Sequence, residues 1–134
     1  MEPIRVLVAE DAKIIRTMVQ VAVRALDSGA EVIEARNGEE ALAAFREKPV
    51  DVVVCDIAMP LMDGIELIRR LRRDERAEIP IVVISGCFTE QRAAAAIKLR
   101  VDGMLCKPFT VQEMVDALRV ALAKREEQLS PAVQ

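Results

Sequence analysis

Five polar residues stand directly after apolar runs: Glu10 and Asp11 after residues 4–9, Asp56 after 50–55, Ser85 after 81–84 and Lys107 after 104–106. An apolar run that stops at a polar residue close to Pro or Gly reads as a buried strand delivering a side chain to an edge where the chain turns. Met59-Pro60 follows Asp56, Gly86 follows Ser85 and Pro108 follows Lys107. If all five emerge on one rim, the three carboxylates repel one another unless a cation sits among them. Oxygen-only ligands select a hard ion, which points to Mg²⁺, with Mn²⁺ as a substitute. A divalent ion and the Lys107 ammonium would then bind phosphoryl oxygens, and the Ser85 hydroxyl would hydrogen-bond one of them. Asp56 would be the nucleophile that accepts the phosphoryl group. Singly, each residue has a plainer reading: Glu10, Asp11 and Asp63 cap helices, Ser85 ends a strand and Lys107 makes an ion pair. Jointly, they fall at the ends of the four strands that one site would use.

The elements between these residues alternate with few interruptions. The run at 4–9 is broken only by Arg5, and an amphipathic segment over 12–26 follows, with Ile14, Ile15, Met18 and Val21 on one face. Asp27-Ser28-Gly29 breaks it, and 30–35 is a short strand whose Glu31 and Glu34 suggest an edge. Asn37 caps a helix to about 47, Lys48-Pro49 stops it, and the strand at 50–55 follows. Asp63 caps a helix over 64–74, 81–84 forms a fourth strand, and a helix over 89–99 contains four consecutive alanines. A brief strand at 104–106 precedes Thr110-Val111-Gln112-Glu113, a capping-box pattern opening a last helix to about 127. Five strands alternating with five helices, the clearest of them apolar on both faces, predict an α/β fold with a doubly wound parallel sheet. Right-handed crossovers and a partly polar second strand give the order 2-1-3-4-5, a flavodoxin-like arrangement. Its ligand crevice lies beyond the carboxyl ends of strands 1 and 3. The domain is expected to span 1–128, with a short tail over 129–134.

Composition narrows the function. At 134 residues the chain is one ordinary domain, so any output activity must come from a partner or from a further segment. A formal charge of −3 gives no bulk attraction to nucleic acid or an anionic membrane. The cluster Arg69, Arg70, Arg72, Arg73 and Arg76 is interleaved with apolar residues at helical spacing and reads as a solvated helix face. No apolar stretch approaches the roughly 20 residues needed to span a bilayer, and the N-terminus runs straight into a strand pattern, so a cytoplasmic protein is expected. The chain has no histidine, which excludes Ser-His and Cys-His catalytic pairs and any phosphohistidine of its own. Cys55 and Cys106 fall on strands separated by a third, roughly 9 to 10 Å apart, and read as core thiols rather than a disulfide. Cys87 falls in the loop beside the site.

Glu10-Asp11, Asp56 with Met59-Pro60 and Met62-Asp63-Gly64, Ser85-Gly86 and Lys107-Pro108-Phe109 together resemble a response-regulator receiver domain of two-component signalling. The resemblance covers about 4–126. It implies Asp56 as phosphoacceptor, with Asp11, Asp56 and the main-chain carbonyl of Ala58 ligating Mg²⁺ and Glu10 acting through water. It implies Ser85 and Lys107 as the switch residues that hold the phosphoryl group. The donor implied is a phosphohistidine on a sensor histidine kinase or a histidine phosphotransfer protein. The change would be relayed to the face made by helix 4, strand 5 and helix 5, which is also the implied homodimer surface, and on to an output protein or a missing output domain. Two positions depart from the usual pattern. Met104 stands where receivers commonly carry Tyr, Phe or His, and neither Ala58 nor Cys87 offers a charged or amide side chain to orient a hydrolytic water. The phosphoryl group is therefore expected to be lost slowly.

Two other readings compete. An Asp-nucleophile phosphohydrolase generally places a second acid two residues after the nucleophile, where this chain has Ala58. A receiver that docks partners without being phosphorylated would not need the full set of acids, hydroxyl and lysine. Nucleotide-binding glycine motifs are absent.

Overall fold

The computed structural model describes residues 3–129. Its elements run β1 (Arg5–Ala9), α1 (Lys13–Leu26), β2 (Glu31–Ala35), α2 (Gly38–Glu47), β3 (Val52–Asp56), α3 (Gly64–Arg73), β4 (Ile81–Ser85), α4 (Glu90–Lys98), β5 (Gly103–Cys106) and α5 (Val111–Leu129). The strands form one parallel sheet in the order β2-β1-β3-β4-β5. This is the doubly wound α/β arrangement expected from the alternation of apolar runs and amphipathic segments. The central strands β3 and β4 are buried at every position, whereas β2 exposes Glu34, as an edge strand tolerates.

Two apolar layers flank the sheet. Leu7, Val53, Cys55, Ile81 and Val83 pack with Leu67, Ile68 and Leu71 of α3 on one side. On the other, Val6, Val8, Val52, Val54, Val82 and Ile84 pack with Val19 and Val23 of α1 and Met114 and Leu118 of α5. Alternation along each strand divides its side chains between the layers. Each fully buried aliphatic side chain contributes about 1.5–3 kcal/mol, so these layers hold the strand ends in a fixed register. In that register Ala9 pairs with Cys55, Asp56 with Ile84, and Ser85 with Cys106, so the candidate residues reach the same edge.

The expected helix starts are built by side chains. Asn37 accepts from Glu40 N–H, Asp63 from Glu66 N–H and Thr89 from Arg92 N–H. At α5 the reciprocal box is complete: Thr110 Oγ1 accepts from Glu113 N–H at 3.0 Å, and Glu113 Oε1 accepts from Thr110 N–H at 2.8 Å. Helix α5 continues through Leu129, where the tail was expected to begin, and residues 130–134 lie outside the described part.

Three expectations are corrected. The buried face of α1 is Arg16, Val19, Ala22 and Val23, while Ile14 and Val21 are 73% and 53% exposed. A broad apolar stripe leaves the phase of a helix open, and contact with β1 and α5 decides it. Arg72 is not on a solvated face but buried, donating to the carbonyls of Ala77, Ile79, Leu99 and Arg100 at 2.8–3.0 Å. Four carbonyl partners make burial of a guanidinium tolerable without a carboxylate. Cys106 is exposed rather than a core thiol, because it closes the short edge strand β5 at the rim, whereas Cys55 is buried as expected. Among the described residues no helix is long and apolar enough to cross a membrane.

Candidate functional site

Asp56 is the last residue of β3, held in the ladder by its neighbour, since Ile57 N–H donates to Ile84 O at 3.1 Å. Its side chain is almost wholly buried. Oδ2 accepts from Lys107 Nζ at 2.9 Å, and Oδ1 lies 3.4 Å from the N–H of Ala58. Gly64 lets α3 begin against this strand end: its N–H donates to Ile57 O at 2.8 Å, and no side chain intervenes.

Glu10 is fully buried just beyond β1. Oε2 accepts from Ala12 N–H at 2.9 Å, and Oε1 lies 2.7 Å from Lys107 Nζ. That last approach is close enough for strong attraction but lacks hydrogen-bond alignment, and Oε1 has no other partner among the described residues. Asp11 is exposed beside it, and ligand oxygens of Glu10, Asp11 and Asp56 lie within 4.8 Å of one another. Arg16, which sequence reasoning missed, fixes this corner. Its guanidinium donates to the main-chain carbonyls of Glu10 at 2.8 Å and Asp11 at 3.1 Å, and pairs with Glu34 at 2.8 Å. The available signal was an arginine set between Ile15 and Val19 on an apolar face.

Lys107 directly follows β5, where the Lys107–Pro108 peptide bond is cis. Its N–H donates to Ser85 O at 2.8 Å, which ties the two strand ends together. Ser85 is buried on the same rim, but its hydroxyl is engaged locally: it donates to Cys87 O at 2.9 Å and accepts from Cys87 N–H at 3.2 Å. The fold therefore brings Glu10, Asp11, Asp56 and Lys107 into one cluster, with Ser85 adjacent and turned toward its own loop. Ala58 and Cys87 are both exposed, and neither position offers an acid or amide beside Asp56. Hence no second carboxylate stands where a phosphohydrolase would need one.

Burial pushes the Glu10 carboxyl from 4.5 up to about 7, against the lowering effect of Lys107 and the Ala12 N–H. Burial works against the charge on Lys107 too, but the two carboxylates beside it, Glu10 and Asp56, outweigh it and hold its pKa above the ordinary lysine value. A buried carboxylate oxygen without an aligned donor, in an oxygen-only set with an exposed acid beside it, fits a hard divalent cation. Because the folded state binds the Glu10 proton more tightly than the unfolded chain does, its stabilising effect is complete below pH 4.5 and is lost as pH rises through 7. Urea titrations in a chelator should show stability falling by about 2 kcal/mol between pH 5 and 8 from this group, a slope that Glu10→Gln removes. An unchanged slope in that variant would assign the proton elsewhere.

The response regulator receiver domain family matches the chain over residues 6–119. The chain belongs to that family. Over 120 residues this receiver domain is 32% identical to the phosphate regulon transcriptional regulatory protein PhoB of Pseudomonas aeruginosa, covering 89% of the chain and 52% of PhoB. It is also 32% identical to the KDP operon transcriptional regulatory protein KdpE of Escherichia coli, covering 94% of the chain and 54% of KdpE. The chain thus spans about half the length of these relatives. Among solved structures, the chemotaxis protein CheY4 of Vibrio cholerae superposes with a TM-score of 0.80 at 29% identity, covering 90% of this chain and all of that one. A CheY-like receiver domain protein from Methanospirillum hungatei reaches a TM-score of 0.86 at 20% identity, covering 95% of this chain and 99% of that one, and shows the shared fold. Receiver domains are signalling domains of two-component response regulators, so neither the phosphohydrolase nor a nucleotide-binding enzyme is favoured.

Proposed function

We propose that Asp56 of this receiver domain accepts a phosphoryl group from a phosphohistidine on a sensor histidine kinase or histidine phosphotransfer protein. The observation that carries this reading is the nearly buried Asp56 carboxylate, 2.9 Å from the Lys107 ammonium and clustered with Glu10 and Asp11. A carboxylate oxygen of Asp56 attacks phosphorus, the P–N bond breaks, and its electron pair stays on the departing imidazole. Asp11, Asp56 and the main-chain carbonyl of Ala58 would hold Mg²⁺, or Mn²⁺ in its place, with Glu10 reaching it through water. When bound, that ion supplies positive charge to the phosphoryl oxygens. Lys107 supplies a second positive charge from just beyond β5 on the same edge of the sheet.

Capture of a phosphoryl oxygen by Ser85 requires its hydroxyl to give up its bonds to Cys87. The Cys87 backbone would then move, and with it the start of α4, two residues beyond at its Thr89 cap. Helix α4 is suited to such movement because Ala96 is its one buried residue. The relay would end on the face of α4, β5 and α5, with half-buried Met104 in place of an aromatic ring. That face would serve a homodimer, an output protein or an output domain of a longer regulator. The receiver segment itself would make no direct contact with nucleic acid or membrane, and it would work in the cytoplasm.

Intact-mass measurement after incubation with acetyl phosphate should show one added phosphoryl group with Mg²⁺, none with chelator and none in Asp56→Asn. An equal adduct in Asp56→Asn would overturn the reading. Once formed, the adduct should decay slowly, because Ala58 and Cys87 cannot orient water. Ala58→Asn should hasten decay by about tenfold, followed as loss of the phosphorylated mass. Faster decay in the unaltered protein would contradict this.

A further inference from the structure

We propose that the groove between α3 and α4 docks an acidic amphipathic helix of a partner protein. The groove has a volume of about 460 Å³ and is lined by Arg69 and Arg73 of α3, Gln91 and Lys98 of α4, and the apolar Ala94, Ala95 and Leu99. Among the described residues no carboxylate lines it, although the chain as a whole carries a formal charge of −3. These cations are therefore concentrated against the overall sign of the molecule. Among the described residues, Arg69 alone of the three pairs with a carboxylate, Glu66 at 2.7 Å, and Arg73 and Lys98 are exposed.

Spacing gives the surface its shape. The α4 residues on the groove recur at the three- and four-residue intervals of one helical face, and Arg69 and Arg73 are one turn apart on α3. From residue 91 to residue 99, α4 and its cap extend about 12 Å, close to two turns of a partner helix. Ala94 and Ala95 let a partner backbone approach closely, and half-buried Ala95 and Leu99 offer apolar contact below the exposed cations. An amphipathic helix with an aliphatic ridge and flanking carboxylates complements both features.

Nucleic acid is the weaker complement. The positive lining lies toward the C-terminal halves of the two helices, whereas Glu66 stands in the first turn of α3 and Glu90 in that of α4. A phosphate backbone longer than the groove would run onto those acids. The apolar lining also gives phosphates nothing to bind.

The test uses an 18-residue helical peptide of Glu, Ala and Leu with its carboxylates on both sides of one leucine ridge, titrated into the ¹⁵N-labelled chain. Shift changes are expected at 69–73 and 91–99, with affinity falling at least about tenfold in Arg73→Glu/Lys98→Glu and unchanged in Arg24→Glu. All three side chains are exposed, and unchanged amide spectra before titration establish that the variants fold. No binding, shifts centred on another surface, or equal affinity in the double variant would overturn the proposal. So would a random DNA duplex that binds these residues as tightly as the peptide.

Discussion

Replacing Lys107 by Met is expected to lower the stability of the chelator-treated protein by about 3 kcal/mol at pH 7 while strengthening its Mg²⁺ affinity by about tenfold. In the native site one ammonium stands 2.7 Å from Glu10 and 2.9 Å from Asp56, and both carboxylates are nearly or wholly removed from water. Taking that charge away leaves two acids without compensation. The loss stays near the lower end for a broken buried pair, because Glu10 already holds its proton up to about pH 7 and relieves part of the repulsion by staying neutral. The same change removes a cation that competes with Mg²⁺ for the same oxygens, so affinity rises. Urea unfolding with and without Mg²⁺ measures both effects, and the opposite signs make the prediction specific. A variant that loses stability but binds Mg²⁺ more weakly would mean that Lys107 supports the metal site rather than competing with it.

Gly64→Ala should cost at least about 3 kcal/mol and weaken phosphorylation of Asp56 at temperatures where the variant is still folded. A Cβ there would lie 2.1 Å from the carbonyl oxygen of Asp56 and 2.9 Å from both the carbonyl carbon of Asp56 and the Cα of Ile57. All three are backbone atoms at the end of β3 and the residue just beyond it, so relief requires moving Asp56 itself. Gly86→Ala is the matched comparison. It alters the residue after Ser85, where an added Cβ meets nothing within 4 Å, and it should change stability little. Comparable losses in the two variants would show that backbone entropy, not the close approach at Asp56, sets the cost.

Much of this arrangement is legible in the sequence because local rules and global topology agree. Val52–Asp56 and Ile81–Ser85 are too continuously apolar to be exposed on either face, and the caps at Asn37, Asp63 and Thr110 mark helix starts. Once parallel order is inferred, Glu10, Asp56 and Lys107 must meet. What stays hidden depends on partners distant in the chain. Arg72 is buried because carbonyls up to 28 positions away converge on it. Arg16 is buried because Glu34 and the backbone at 10–11 receive its donors. Composition and periodicity describe both arginines as surface residues, since neither carries the positions of main-chain acceptors. Ser85's attachment to Cys87 is equally invisible from spacing, yet it defines what must be released before the hydroxyl can turn.

The central claim is that Asp56, and no other acid of the cluster, carries the phosphoryl group. Borohydride cleaves an acyl phosphate reductively and leaves a hydroxyl where the carboxylate stood, so treatment of the phosphorylated chain marks the modified residue permanently. Peptide sequencing should find homoserine at position 56 after acetyl phosphate and Mg²⁺, and aspartate at that position when either is omitted. A reduced residue at Glu10 or Asp11, with Asp56 unchanged, would contradict the account.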